Sequence, residues 1–163
     1  MNDKPTPYRG TEVSAAKSQE DIKRLLRRYG CGSVATAEEL EKQEILLKFT
    51  HLIEGSDQVA VVRFMARIPP VEQPRRTRYN TNPARARLER QEQAERRAWR
   101  ALYYAVKSRM ESILYGMETF EEAFLSHVEI VGPHGTKITF GEWALPLLRQ
   151  GHLQIPDRAG EQP

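Results

Sequence analysis

The residues able to do chemistry in this 163-residue chain are four histidines, a single cysteine and a run rich in arginine. His51, His127, His134 and His152 are scattered, and no Cys, Asp or Glu stands at a metal-ligand spacing from them. His127 and His134 would meet across a short hairpin, which supplies too few donors for a metal. Cys31, between Gly30 and Gly32, has no base near it in sequence and reads as a loop thiol rather than a nucleophile. Gly30-Cys31-Gly32 also lacks the further glycine and the lysine of a phosphate-cradling loop. Glu121 and Glu122 open a helix, where the backbone dipole favours negative charge, so they need no catalytic role. The expectation is a non-enzymatic protein with no cofactor and no metal.

The charge distribution is more informative. Arg75 to Arg109 holds eleven basic and three acidic residues, a net of +8 in a chain whose total is +3, so everything else sums to −5. A positive segment in an otherwise acidic chain suits an anionic partner, with nucleic acid as the first candidate. Within it, Arg97, Arg100, Tyr104 and Lys107 are spaced i, i+3, i+7 and i+10, and Arg90 lies two turns before Arg97. On a helix this row is offset by a quarter to a half turn from the apolar stripe Trp99, Leu102, Tyr103, Val106, Met110, Ile113 and Met117. Burying the stripe is expected to leave the row exposed, with cations at the interval of successive phosphates and Tyr104 as a stacking face. Arg75, Arg76 and Arg78, beside Tyr79, extend the cationic set in a proline-rich loop, and Arg63 and Arg67 extend it on the outer face of a strand. The competing reading is a solvated, Arg/Glu-rich helix with ordinary i,i+4 pairs such as Glu92 with Arg96.

The elements that position these residues follow from period and punctuation. Residues 1–10 read as a flexible lead-in and 11–17 as a short strand. Ser18 reads as an N-cap with Asp21 three residues on, before Ile22, Leu25, Leu26 and Tyr29 on one helical face. Lys23, Arg24, Arg27 and Arg28 of that helix read as a solvated face. Ile45, Leu47, Phe49, His51 and Ile53 alternate, and the turn Gly55-Ser56-Asp57 leads to a β-branched run over 59–68, which is a hairpin. His51 on that alternation is read as packed rather than ligating. Residues 69–83 form a mobile basic loop by composition. Asn82-Pro83 starts a helix running to about Tyr115, with Gly116 as its stop and the part before Trp99 projecting. Thr119/Glu122 and Thr139/Glu142 are capping pairs flanking a second hairpin over 128–138, and Pro146 is expected to kink or end the last helix. Residues 151–163 read as a tail. The fold class is α+β: one domain over 11–150, with a small antiparallel sheet packed against helices, one long helix, and a C-terminal hairpin and helix.

The stretches Arg97-Ala98-Trp99-Arg100-Ala101-Leu102, Val106-Lys107-Ser108-Arg109-Met110-Glu111, 119–125 and Gly141-Glu142-Trp143 resemble a group of small phage and prophage proteins. Lys17 to Ile22 and Arg28-Tyr29-Gly30 fit the same group, so the resemblance spans most of 11–148. It implies a mobile-element origin and a bacterial cytoplasm, and no catalytic residues. A lone cysteine agrees with a reducing compartment, and no run reaches the length of a membrane span. The combined expectation is a cytoplasmic phage-type protein that binds nucleic acid, DNA before RNA, mainly through phosphates. The alternative is a protein-interaction module that binds or inhibits a host protein, or self-associates through the projecting helix (84–98).

Overall fold

Alternation decides the sheet. Ile45, Leu47 and Phe49 of one strand and Val62 and Phe64 of the next are all buried, while their sequence neighbours are not. The structure, a computed structural model, describes residues 7–8, 10–39, 41–71 and 82–152. Its elements run α1 (Ala15–Arg28), β1 (Val34–Glu39), β2 (Glu44–Leu52), β3 (Val59–Arg67), α2 (Pro83–Leu114), α3 (Phe120–Phe124), β4 (Glu129–Val131), β5 (Lys137–Thr139) and α4 (Phe140–Arg149). The fold is α+β: an antiparallel sheet β1-β2-β3 and a two-stranded hairpin β4-β5. Leu47 faces Phe64 and Phe49 faces Val62 in the β2–β3 register, so their side chains form one apolar face. Helices α1, α2 and α3 cover it with Ile22, Leu26, Trp99, Leu102, Val106, Met110 and Phe124, every one of them buried. The hairpin joins β3 through a bridge between Val62 and Val128.

Three expectations are corrected. The segment 11–17 is not a strand, because Ser14 is the N-cap of α1 and its side chain accepts from the Lys17 N–H at 3.1 Å. Ser18 instead lies inside α1, fully buried. The third strand is Val34–Glu39, an edge strand with one face exposed and a single strongly apolar residue, so it has no alternation to announce it. Pro146 does not end α4, which continues to Arg149 although Pro146 has no N–H to give the Glu142 carbonyl.

The long helix begins as expected, with Asn82 Oδ1 accepting from the Arg85 N–H at 3.1 Å and Pro83 at the first helical position. It stops at Leu114, and Gly116 follows in the left-handed region at φ +67°. Its 32 residues span about 48 Å. The buried line includes Ala94 and Ala98 as well as Trp99, so core contact starts more than a turn before the first large side chain. The projecting part is accordingly shorter than expected, 83–90. Met117, predicted to close the stripe, lies beyond the helix and is 76 % exposed. Both capping boxes form, Thr119 with Glu122 and Thr139 with Glu142.

Candidate nucleic-acid interface

The row on α2 does not stand free in water. Arg100 lays its guanidinium 4.6 Å from the Tyr103 ring and 4.8 Å from the Tyr104 ring, and its Nη2 donates to the Tyr104 hydroxyl at 3.2 Å. Its Nη1 is 3.5 Å from the Asp21 carboxylate of α1. Tyr104 is stacked on Tyr8, with ring centres 5.2 Å apart and planes 7° from parallel. Lys107 pairs with Glu111 at 2.5 Å, and that hydrogen bond holds its ammonium above the usual lysine range. Arg97 is half-buried, and its Nε is enclosed without a hydrogen-bond partner among the described residues. Arg90 lies exposed on the projecting turns.

The strand arginines divide. Arg63 is held by Glu142 and by Glu129, the latter at 3.6 Å, and Lys48 joins Glu129 at 2.7 Å. Arg67 is exposed, with no ion-pair partner among the described residues. Arg75, Arg76 and Arg78 lie outside the described residues. The expectation of a continuous exposed row is therefore corrected for Arg63, Arg100 and Lys107. Arg63 meets carboxylates of β4 and α4, Lys107 meets Glu111 of its own helix, and for Arg100 the reason is that α2 has two neighbours. The sheet takes the Trp99 stripe, and α1 packs along the adjacent flank and brings Asp21 with it.

The same packing exposes cations that the sequence pattern left as background. In α1 the fully buried line is Ser18, Ile22 and Leu26. At 100° per residue, Asp21 lies on one flank of that line, and Arg24 and Arg28 follow it along the same flank and outer face. Arg24, Arg27 and Arg28 are exposed and Lys23 is half-buried; none has an ion-pair partner among the described residues. No acidic residue occurs between Asp21 and Glu38. Asp21 of α1 meets Arg100 of α2, and the Thr11 carbonyl, ahead of α1, accepts from Gln93 at 3.1 Å. Arg24 and Arg28 lie about one and two turns beyond Asp21 on α1, as Tyr104 and Lys107 lie about one and two turns beyond Arg100 on α2. Part of this charge has a local role, since Arg27 and Arg28 sit in the last turn and face the negative end of the helix dipole. A signal was present in the sequence: four cations in the six residues 23–28, with no acid after Asp21 in the helix.

Cys31 is not without a base, as the sequence suggested: its Sγ lies 4.0 Å from His51 Nδ1. Burial pushes the thiol up to about 11, so it stays protonated, and burial lowers His51, which stacks on Phe120 at 3.6 Å. That pairing is a packed one, not an activated nucleophile. His127 stacks on Phe64 at 3.9 Å; burial lowers its pKa and the nearby Arg109 charge adds to the effect. His134 lies exposed in the β4–β5 turn. Among the described residues no three His, Cys, Asp or Glu side chains converge to hold a metal. A cleft of about 280 Å³ beside β3 is lined by Glu44, Arg63, Met65, Arg67, His127, Thr139 and Glu142, where the carboxylates offset the cations. No helix among the described residues is long and apolar enough to cross a membrane. No family model matches the chain, nor does any curated protein or solved structure.

Proposed function

We propose that the protein binds nucleic acid through phosphate contacts centred on the outer face of α1, with Lys107 of α2 at its edge. The observation that carries this reading is the cluster Lys23, Arg24, Arg27 and Arg28, which has no carboxylate partner among the described residues. An ion-paired cation must give up its partner before it meets a phosphate; an unpaired one releases only counterions. The row first expected, Arg97 to Lys107, is thus a flank of the site and not its centre. Phosphate contact carries little sequence information, so binding is weakly specific and steeply salt-dependent. DNA is the first polyanion to test.

The test is fluorescence anisotropy on labelled DNA at about 50 and about 200 mM salt, where each phosphate contact contributes a slope of about 0.7–0.9 in log K against log salt. Arg24→Gln/Arg27→Gln/Arg28→Gln is expected to weaken binding at least tenfold and to flatten the slope by about 2. Arg85→Gln/Arg87→Gln, on the projecting turns, is expected to leave the slope unchanged within about 0.5. No binding by the parent protein, or an unaltered slope in the α1 variant, overturns the reading.

A second reading, a protein-interaction module, has an observation of its own. Val131, Trp143, Leu145 and Leu148 are exposed, and an open apolar cleft of about 500 Å³ lies between the hairpin and α4, lined by Ile130, Val131, Pro133, Phe140 and Trp143. DNA-free protein that sediments as a dimer, and reverts to monomer on Trp143→Glu, favours it over the first.

A further inference from the structure

We infer that Tyr104 is a stacking platform for a nucleobase, that Tyr8 covers it in the free protein, and that the ligand is therefore single-stranded. The inference rests on the phosphate-binding reading above and adds to it the class of nucleic acid bound.

Tyr104 lies one turn beyond Arg100 on α2, and Arg24 lies about one turn beyond Asp21, the α1 residue that Arg100 meets. The Tyr104 ring already has the partners a base would want. Tyr8 lies 5.2 Å away and nearly parallel, and Arg100 holds its guanidinium over the same residue while donating to its hydroxyl. Both tyrosines remain more than a third exposed, so this stack lies on the surface and not in the core. Arg100 is in turn paired with Asp21 of α1 at 3.5 Å.

The cover is the weaker half of the pair. Tyr8 precedes α1 and belongs to no helix or strand. Its backbone sits at φ +61°, a left-handed conformation that is strained for a bulky side chain. The segment is tied down by the Thr11 N–H donating to the Tyr8 carbonyl at 3.1 Å and by Gln93 on the Thr11 carbonyl. A flat ring on a strained turn outside every described helix and strand, lying on a tyrosine that is anchored in a helix, occupies the place of a stacked base and is replaceable by one. Exchange of one stacked ring for another conserves the contact and relieves the strain at Tyr8. Bases within a duplex are already stacked on both sides and have no free face to offer, whereas those of a single strand do. The phosphates on either side of the inserted base would then meet Arg24, Arg28 and Lys107.

The test compares oligothymidylate of about 20 nucleotides with a duplex of the same length, by anisotropy at one salt concentration. The parent protein is expected to prefer the single strand. Tyr104→Ala is expected to weaken single-strand binding, by roughly tenfold or more when made in the Tyr8→Ala background, where no competing ring offsets the base–aromatic stack, with the duplex unaffected. Tyr104→Phe keeps the ring and is expected to retain parent affinity. Tyr8→Ala removes the competitor and is expected to tighten single-strand binding several-fold; because Tyr8 lies outside every element, this variant reports even if Tyr104→Ala destabilises the fold. Weaker binding by Tyr8→Ala, or equal loss on both ligands in Tyr104→Ala, overturns the inference. The two readings fail separately: a flattened salt slope in the α1 variant with an indifferent Tyr104→Ala leaves phosphate binding standing and removes the stack.

Discussion

Changing Asp21→Asn keeps the side-chain shape and removes one negative charge from the seam between α1 and α2. Asp21 accepts from Lys17 at 3.0 Å, an i,i+4 pair with a mostly exposed lysine, which contributes about 0.3–0.5 kcal/mol. Its second partner is Arg100 at 3.5 Å, with side-chain exposures of 21 % and 17 %. A pair so far withdrawn from water, yet longer than an ideal contact, contributes about 1 kcal/mol. Together the loss is about 1–1.5 kcal/mol, or a fall in Tm of about 3–5 °C for a chain of this size. The effect on ligand binding has the opposite sign. Freeing one cation adds one counterion to those released, steepening the single-strand salt slope by about 0.7 and raising affinity about fivefold near 0.1 M salt. The assay is differential scanning fluorimetry alongside anisotropy across a salt series. A variant that melts earlier and binds tighter supports the view that internal pairing is what withholds Arg100 from an anion. Earlier melting with unchanged affinity and slope refutes it, and an unchanged Tm refutes the pair itself.

Two further outcomes follow from the packing. His51 and His127 both have pKa values lowered by burial from the ordinary histidine value of 6.5, with Glu121 opposing the shift at His51 and Arg109 adding to it at His127. As pH falls through about 6.5 the unfolded chain takes up protons that the native chain does not, so stability is full above that pH and declines below it. The urea midpoint is expected to drop between about pH 7.5 and about pH 5.5, and the drop to shrink in His51→Asn/His127→Gln; a flat profile in the parent protein contradicts this. The pKa of Glu142 is lowered, first by the Thr139 backbone N–H, so its contribution is lost only in the more acidic range below that window. Gly141→Ala would ordinarily stabilise a helix by about 1 kcal/mol. Here the added Cβ would lie 2.8 Å from the Ser126 carbonyl oxygen, so a lower urea midpoint is expected, and a higher one would show that the turn over 125–127 yields easily.

Local signals were legible where a residue's own neighbours in sequence decide its state. The alternation over 44–52 and 59–67 identifies β2 and β3 because each has one buried face. Asn82-Pro83 and the two Thr–x–x–Glu boxes mark helix starts because the caps act on backbone groups within one turn. Where two caps compete, as Ser14 and Ser18 do, sequence chose wrongly: Ser18 resembles a cap but its hydroxyl is enclosed by the core. β1 was not legible because an edge strand with one buried side can be poor in apolar residues, its identity resting on pairing with β2.

The candidate site follows the same division. Composition and spacing determined that α2 is cationic and amphipathic, and that four more cations fill the second half of α1 after its last acid, Asp21. Apart from pairs within one helix such as Lys107 with Glu111, which of those charges face water was decided by tertiary structure. A helical period fixes the angle between side chains on one helix but not what stands opposite them, and a neighbour's carboxylate changes a free cation into a paired one. Asp21 does this to Arg100, and Glu129 and Glu142 do it to Arg63, each reaching across from an element that the row's own sequence does not contain.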